Sequence, residues 1–268
     1  MIDKSAIIHP SAQIVEDAII GPNVVIGENV KIGSKTRVIA NAYIEYAEIG
    51  ERCTISPFAT IGSEPQDLGY KGESTKVVIG NDTIIKENVT IHRAANSGDL
   101  TTRVGSKCLL MVGSHVAHNC VLEDEVILAN LATLGGHIHV GFGAFVGGMS
   151  VFHQNIRIGT MAIISGFSAA RQDILPYSKC DGRPASPRGL NVIALKRRGV
   201  QLEERTNTNA AFKILISDEY NTAQAIEKIR SEIPSNKYIE TLIDFINTSK
   251  RGVTLKPHRE TYQTLEEE

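Results

Sequence analysis

Aliphatic side chains recur at every sixth position through the first two thirds of this sequence. Ile14, Ile20, Ile26, Ile32, Val38 and Ile44 stand six apart, and Gly21, Gly27 and Gly33 directly follow three of them. The frame slips by one residue, resumes at Ile49, Ile55 and Ile61, and returns at Ile79, Ile85 and Ile91. A longer run follows: Val104, Leu110, Val116, Leu122, Leu128, Leu134, Val140, Val146, Phe152, Ile158 and Ile164. A helical stripe recurs about every 3.6 residues and a half-buried strand about every 2, so neither produces this period. A coil of short flat faces with a turn at each corner does, with three hexads, 18 residues, closing one triangular circuit. The aliphatic residue points inward. The position two before it is small or apolar (Cys108, Ser114, Cys120, Ala132, Ala144, Ser150, Ala162) and reads as a second inward site near a corner.

This pattern predicts an all-β solenoid, a parallel β-helix of hexapeptide repeats, over residues 1–176. Two polar, glycine-containing stretches interrupt it, 63–78 and 93–103, and are expected as loops thrown out from the coil, where binding residues tend to sit. Beyond Pro176 the hexads stop. Tyr177–Gly189 reads as an extended connector, followed by the basic cluster Lys196-Arg197-Arg198. Glu203–Arg230 has helical periodicity, Pro234 breaks it, and Tyr238–Ile246 forms a further amphipathic helix. Residues 177–250 are thus expected as a connector and a C-terminal α-helical domain, and 251–268, polar and ending in three glutamates, as a disordered tail.

Composition narrows the setting. The net charge of −2 provides no basic field for nucleic acid. No apolar run approaches the roughly 20 residues of a membrane helix. The opening Met-Ile-Asp-Lys-Ser lacks the cationic and apolar regions of a signal peptide. The four cysteines form no CxxC pair, and Cys108 and Cys120 fall in the small inward phase, as buried structural thiols would. A cytoplasmic protein is expected.

Histidine is where the chemistry gathers. His92, His115, His118, His137, His139 and His153 fall within about 60 residues, and none occupies the inward aliphatic phase. Counting 18 residues per circuit stacks Gly136 on His118, puts His137 beside that glycine, and sets His153 18 after Gly135. An imidazole beside a bare glycine amide suits a general base with an oxyanion-stabilising N–H. Two other readings remain on the residues alone. His115, His118 and His137 could hold zinc, as in hexapeptide carbonic anhydrases, although Asn119 and Asn130 stand where second-layer carboxylates would be expected. A catalytically inert structural or binding module is the other.

Several stretches resemble the UDP-N-acetylglucosamine O-acyltransferases, the enzymes of the first step of lipid A synthesis. They are Ile2-Asp-Lys-Ser, Gln66-Asp67-Leu68, Thr90-Ile-His92-Arg93, His115-Val-Ala-His118-Asn-Cys, Gly135-Gly136-His137, Gly147-Gly148-Met149, His153-Gln154 and Leu195-Lys-Arg-Arg-Gly199, in one register from residue 1 to about 200. The resemblance implies a left-handed β-helix, a homotrimer with active sites between subunits, and no cofactor or metal. It implies acyl carrier protein as donor of a (R)-3-hydroxyacyl chain and UDP-N-acetylglucosamine as acceptor at its 3-position. His118 matches the general base and Gly136 the oxyanion donor. Gln66, Asp67, His115, His137, His153 and Gln154 match residues of the sugar cleft, and Asn191, Arg197 and Arg198 match nucleotide and phosphate contacts. Gly166 and Pro184 match the positions that gauge acyl length, and the Gly166 match implies room for a long chain.

The sequence departs from the family at Asn119, where an aspartate often follows the base, at Gly69 in place of a lysine, at Ile193 in place of a glutamate and at Pro184 in place of a histidine. These changes touch nucleotide and acyl recognition and spare the base. They leave open the 3-amino analogue of the sugar nucleotide as acceptor. The N-acyltransferase of the next acylation step fits less well, because its hexads follow a separate N-terminal domain and here they begin within the first twenty residues.

Overall fold

A computed structural model of the chain describes residues 1–256. Short parallel strands, most of them two residues long, stack into three sheets of nine, eight and ten strands among the described residues, wound as a left-handed β-helix. The hexad phase is the register. Val116 pairs with Leu134 and Leu134 with Phe152 on the first face, Leu122 with Val140 on the second, and Leu128 with Val146 on the third. The inward column and the small residues two before it form one continuous buried core from Ala18 to Ala185. Each fully buried isoleucine in it contributes about 1.5–3 kcal/mol of transfer free energy. The one-residue slip is a shortened circuit, in which Ile32 pairs with Ile49.

Corners carry a residue with positive φ, a conformation that asparagine and glycine tolerate best. At the corner between the first and second faces these are Asn119 (φ 59°), His137 (φ 60°) and Asn155 (φ 64°). The turn is repaid by a ladder along the axis: the His137 N–H donates to the His118 carbonyl at 3.0 Å, and Asn155 N–H to Gly136 O at 3.0 Å.

Both excursions are tighter than the hexad count implies. The strands Thr60–Ser63 and Lys76–Ile79 flank the first, and Thr90–His92 and Thr101–Val104 the second. Lys76–Val78 and Thr101–Arg103, expected in loops, pair with one another in parallel because the β-branched Val77 and Thr102 bury inward at two-residue spacing. A period of six does not register that local alternation.

The stretch expected as an extended connector is a hairpin. Ser178–Gly182 joins the third sheet beside Ile163–Ile164 and pairs antiparallel with Ala185–Leu190, closing the end of the coil. Four helices follow among the described residues: α1 (Val192–Arg197), α2 (Leu202–Ile216), α3 (Thr222–Glu232) and α4 (Lys237–Asn247). The helical run expected over Glu203–Arg230 is therefore two helices. It breaks because Asn221 caps α3 with a box closed by Gln224, which starts a new helix on the same apolar phase. Leu195, Phe212, Leu215, Ile229, Leu242 and Ile243 make this domain's own core against Leu175 and Tyr177.

After α4 the chain returns to the coil. Asp173 N–H donates to Gly252 O at 2.9 Å and Thr254 N–H to Asp173 O at 2.9 Å, so the segment around Val253 is held in parallel against the last circuit. The tail expected to be disordered from 251 is thus ordered through 256; its remainder, 257–268, lies outside the described residues.

Candidate active site

At the corner between the first and second faces, His118 is buried and its imidazole packs on Gly136. A Cβ on Gly136 would stand 2.5 Å from Cε1 and 2.6 Å from Nε2 of that ring, so a side chain there would force the ring to move. His118 Nδ1 is 2.9 Å from Asn119 Oδ1. An amide oxygen only accepts, so the imidazole proton sits on Nδ1 and the Nε2 lone pair faces the glycine side. The Gly136 N–H finds no acceptor among the described residues.

Asn119 does more than orient the ring. Its Oδ1 also accepts from Ala95 N–H at 2.9 Å, and its Nδ2 donates to Ser97 O at 2.9 Å. The residue that fixes the His118 ring therefore also fastens the 93–100 loop. Ser97 Oγ of the same loop reaches His137 Nε2 at 3.5 Å.

Four imidazoles line this region in two edge-to-face pairs, His92 with His115 and His118 with His137, each with ring centroids 5.1 Å apart. Burial, then the neighbouring His92 and His118, hold His115 down at about 4. Its Nδ1 is 2.7 Å from Thr90 Oγ1. Burial and His118 also lower His137, while Asp67 acts in the opposite sense, so the carboxylate of the first loop lies in electrostatic reach of the corner. Burial likewise lowers His92, whose Nδ1 is enclosed without a partner. Gln66, Asp67, His153 and Gln154 are exposed around the same corner. His139, by contrast, lies on the second face beside Glu123 at 3.1 Å.

The remaining expected residues lie elsewhere on the prism. Asn191 caps α1 and donates to Met161 O at 2.9 Å, and Arg198 is ion-paired with Glu125 and stacked over Phe142 at 4.7 Å. Both sit at the corner between the second and third faces, with Arg197 and Ile193 exposed on the same helix. Gly166 belongs to the corner between the third and first faces. The Pro184 hairpin reaches it, since Arg183 donates to Phe167 O at 2.6 Å. This third corner exposes an apolar column: Phe58, Val112, Leu131, Met149 and Phe167.

Sequence reasoning missed Arg93. Its side chain is 7% exposed and spends its donors on Tyr70 Oη (3.1 Å), Glu45 (3.0 Å), Gly62 O (2.7 Å) and Glu64 (3.3 Å), with Tyr46 4.5 Å below its face. It pins the loop that carries Gln66 and Asp67. The signal was present: Arg93 stands two after inward Ile91, the phase that His118 holds after Val116.

The zinc set drawn from His115, His118 and His137 does not converge: among the described residues no three His, Cys, Asp or Glu side chains are placed to hold a metal. Burial pushes the Cys108 and Cys180 thiols up to about 11, which keeps them protonated at neutral pH.

A family model described as UDP-N-acetylglucosamine O-acyltransferase, domain 2, matches residues 173–254, and one described as the GMPPB C-terminal domain matches residues 2–95. The acyl-[acyl-carrier-protein]–UDP-N-acetylglucosamine O-acyltransferase of Thermodesulfovibrio yellowstonii is 47% identical over 253 residues, covering 94% of this chain and 98% of that protein. Among solved structures, LpxA of Acinetobacter baumannii superposes with a TM-score of 0.91 at 37% identity, over 94% of this chain and 99% of that one. The Bacteroides fragilis LpxA, a UDP-N-acetylglucosamine acyltransferase, gives 0.90 at 39% identity over the same shares.

Proposed function

The chain belongs to the acyl-[acyl-carrier-protein]–UDP-N-acetylglucosamine O-acyltransferase family, and on that premise we propose how its residues carry out the transfer. The enzyme moves a (R)-3-hydroxyacyl chain from acyl carrier protein to the 3-position of UDP-N-acetylglucosamine in lipid A biosynthesis. One observation carries the mechanism: the His118 ring, held through Nδ1 by Asn119, lies on Gly136, whose N–H has no acceptor among the described residues.

His118 Nε2 takes the proton of the sugar 3-hydroxyl as that oxygen attacks the thioester carbon. The Gly136 N–H stabilises the tetrahedral oxyanion. The carbon–sulfur bond then breaks, and the carrier thiolate leaves with the proton returned by His118. An amide at 119 orients the base as a carboxylate would but adds no charge to stabilise the imidazolium. Neutral His115 and His137, depressed by burial, are suited to donate or accept hydrogen bonds at the sugar without repelling the transient cation. Gln66, Asp67, His153 and Gln154 complete the sugar cleft.

The working form is a homotrimer. The base, the α1 residue Arg197 with the helix caps Asn191 and Arg198, and the acyl-gauging pair Gly166 and Pro184 lie at three different corners. A single prism cannot turn three corners into one cleft, whereas neighbouring copies can. The exposed apolar column of the third corner supports both subunit contact and an acyl groove. No described helix is long and apolar enough to cross a membrane, and the reaction belongs in the cytoplasm with its carrier and nucleotide substrates.

The test is to incubate the protein with UDP-N-acetylglucosamine or its 3-amino analogue and a panel of hydroxyacyl carriers, and to identify products by mass. The expected product is the 3-O-acyl sugar nucleotide. A product only from the amino analogue would move the acceptor assignment, and no product from either would remove the function.

A further inference from the structure

The C-terminal segment brings a cation to the catalytic corner. His118, Gly136 and Gln154 follow one another at 18-residue spacing, and Gln172 stands 18 further along the chain. Gly252 sits on that residue: with φ at +73°, a Cβ there would be 3.0 Å from Gln172 Nε2. The segment is fastened on both sides of Gly252. Asp173 pairs with it through the two backbone bonds described above, and Ser249 Oγ donates to Asp173 Oδ2 at 2.9 Å. Arg157 is committed to the same carboxylate at 2.9 Å and to Phe245 O at 2.7 Å. Arg251, between these anchors, is exposed and places Nη2 3.3 Å from His153 Nδ1.

Among the described residues Arg251 has no carboxylate partner, and its guanidinium contacts His153. A guanidinium only donates, so the contact requires His153 Nδ1 to accept and puts the imidazole proton on Nε2. The alternative contact of His153 Nδ1 with Gln154 O, at 3.2 Å, needs the opposite tautomer. With Arg251 engaged, the guanidinium and the His153 Nε2–H both present donors to the cleft.

We propose that Arg251 and His153 form a phosphate subsite of the active cleft, an inference that rests on the acyl-transfer reading above. A fixed fork of N–H donors beside an imidazole N–H is a phosphate-binding chemistry. Both substrates carry such a group, the acceptor in its diphosphate and the donor in the phosphopantetheine arm of the carrier. His153 stands two circuits above the level of His118, roughly 10 Å along the axis, so the subsite is displaced from the reacting atoms and binds without taking part in chemistry.

The experiment compares wild type with Arg251→Ala and Arg251→Lys in steady-state kinetics, varying sugar nucleotide and hydroxyacyl carrier separately, with Tm measured for each protein. Wild-type turnover in the same assay keeps this test separate from failure of the acyl-transfer reading. Arg251→Ala should raise one KM by about ten- to a hundredfold, leave kcat within about threefold and leave Tm unchanged, and Arg251→Lys should recover part of the loss. A rise confined to the sugar nucleotide assigns the subsite to the diphosphate; a rise confined to the carrier assigns it to the phosphopantetheine. Both constants staying within about twofold of wild type, or both rising together with a fall in Tm, would overturn the subsite.

Discussion

The His118 ring occupies the space that a side chain at Gly136 would need, with Cε1 2.5 Å from the position of the missing Cβ. The two residues are 18 apart and one circuit apart, so the repeat that builds the coil also builds this contact. Gly136→Ala should leave the fold intact, since Gly136 is not one of the positive-φ glycines, and should displace the base from the glycine amide. A fall in kcat of about 10²–10³-fold is expected, with Tm changed by only a few degrees in a thermal melt. Full activity in the alanine variant would show that the ring and the amide need not touch.

Asn119 holds the His118 ring and the 93–100 loop with one side chain. Asn119→Asp keeps an acceptor for His118 and Ala95 but replaces the Nδ2 donor with oxygen facing the Ser97 carbonyl at 2.9 Å. The loop should loosen, costing about 1–3 kcal/mol of stability, readable by denaturant unfolding. Hydrogen exchange at Ala95 and Ser97 should quicken. A more stable variant with a more protected loop would contradict this account of Asn119.

Arg93 ties the Gln66–Asp67 loop to the coil. Replacing it with methionine leaves Glu45 without its cation and should destabilise the protein by about 3–5 kcal/mol. The milder Tyr70→Phe removes only the 3.1 Å bond to Arg93 Nε and the donor to Glu73 O. It should raise KM for the sugar nucleotide several-fold with kcat nearly unchanged. An unaltered KM would show that the loop does not need this anchor.

The depressed histidines set a pH dependence. His115 has a folded pKa of about 4 against an ordinary value of about 6.5, so the unfolded chain binds a proton that the native protein refuses. Protons bound in excess by the unfolded state make stability rise with pH. Stability should therefore be full above about pH 6.5 and fall as pH drops toward 4, by up to about 3 kcal/mol from this residue. His92 and His137 shift in the same direction. Denaturation at pH 7 and 4.5 checks this, and His115→Gln should flatten the slope between those values.

The coil was legible because its information is local and periodic. The inward aliphatic column from Ile20 to Ile164 follows from counting sixes, and counting eighteens placed Gly136 on His118. What the count could not supply depends on partners far apart in the chain. Arg93 and Glu45 are 48 residues apart, and His153 and Arg251 are 98 apart. The Ser178–Leu190 hairpin escaped notice because it pairs antiparallel and carries no hexad. The break between α2 and α3 escaped because the apolar phase continues across it, while polar Ser217–Asn221 carries the turn. The residues at α1 and at the third corner were matched by resemblance, and one chain leaves them at corners away from His118.

The claim that bears most weight is that His118 is the general base. Turnover of UDP-N-acetylglucosamine with a hydroxyacyl carrier should be compared between wild type and His118→Ala, with product measured by mass and assembly by sedimentation. A loss of at least about 10³-fold in kcat, with sedimentation and Tm preserved, is the predicted result. Turnover within tenfold of wild type in a folded His118→Ala protein would contradict it.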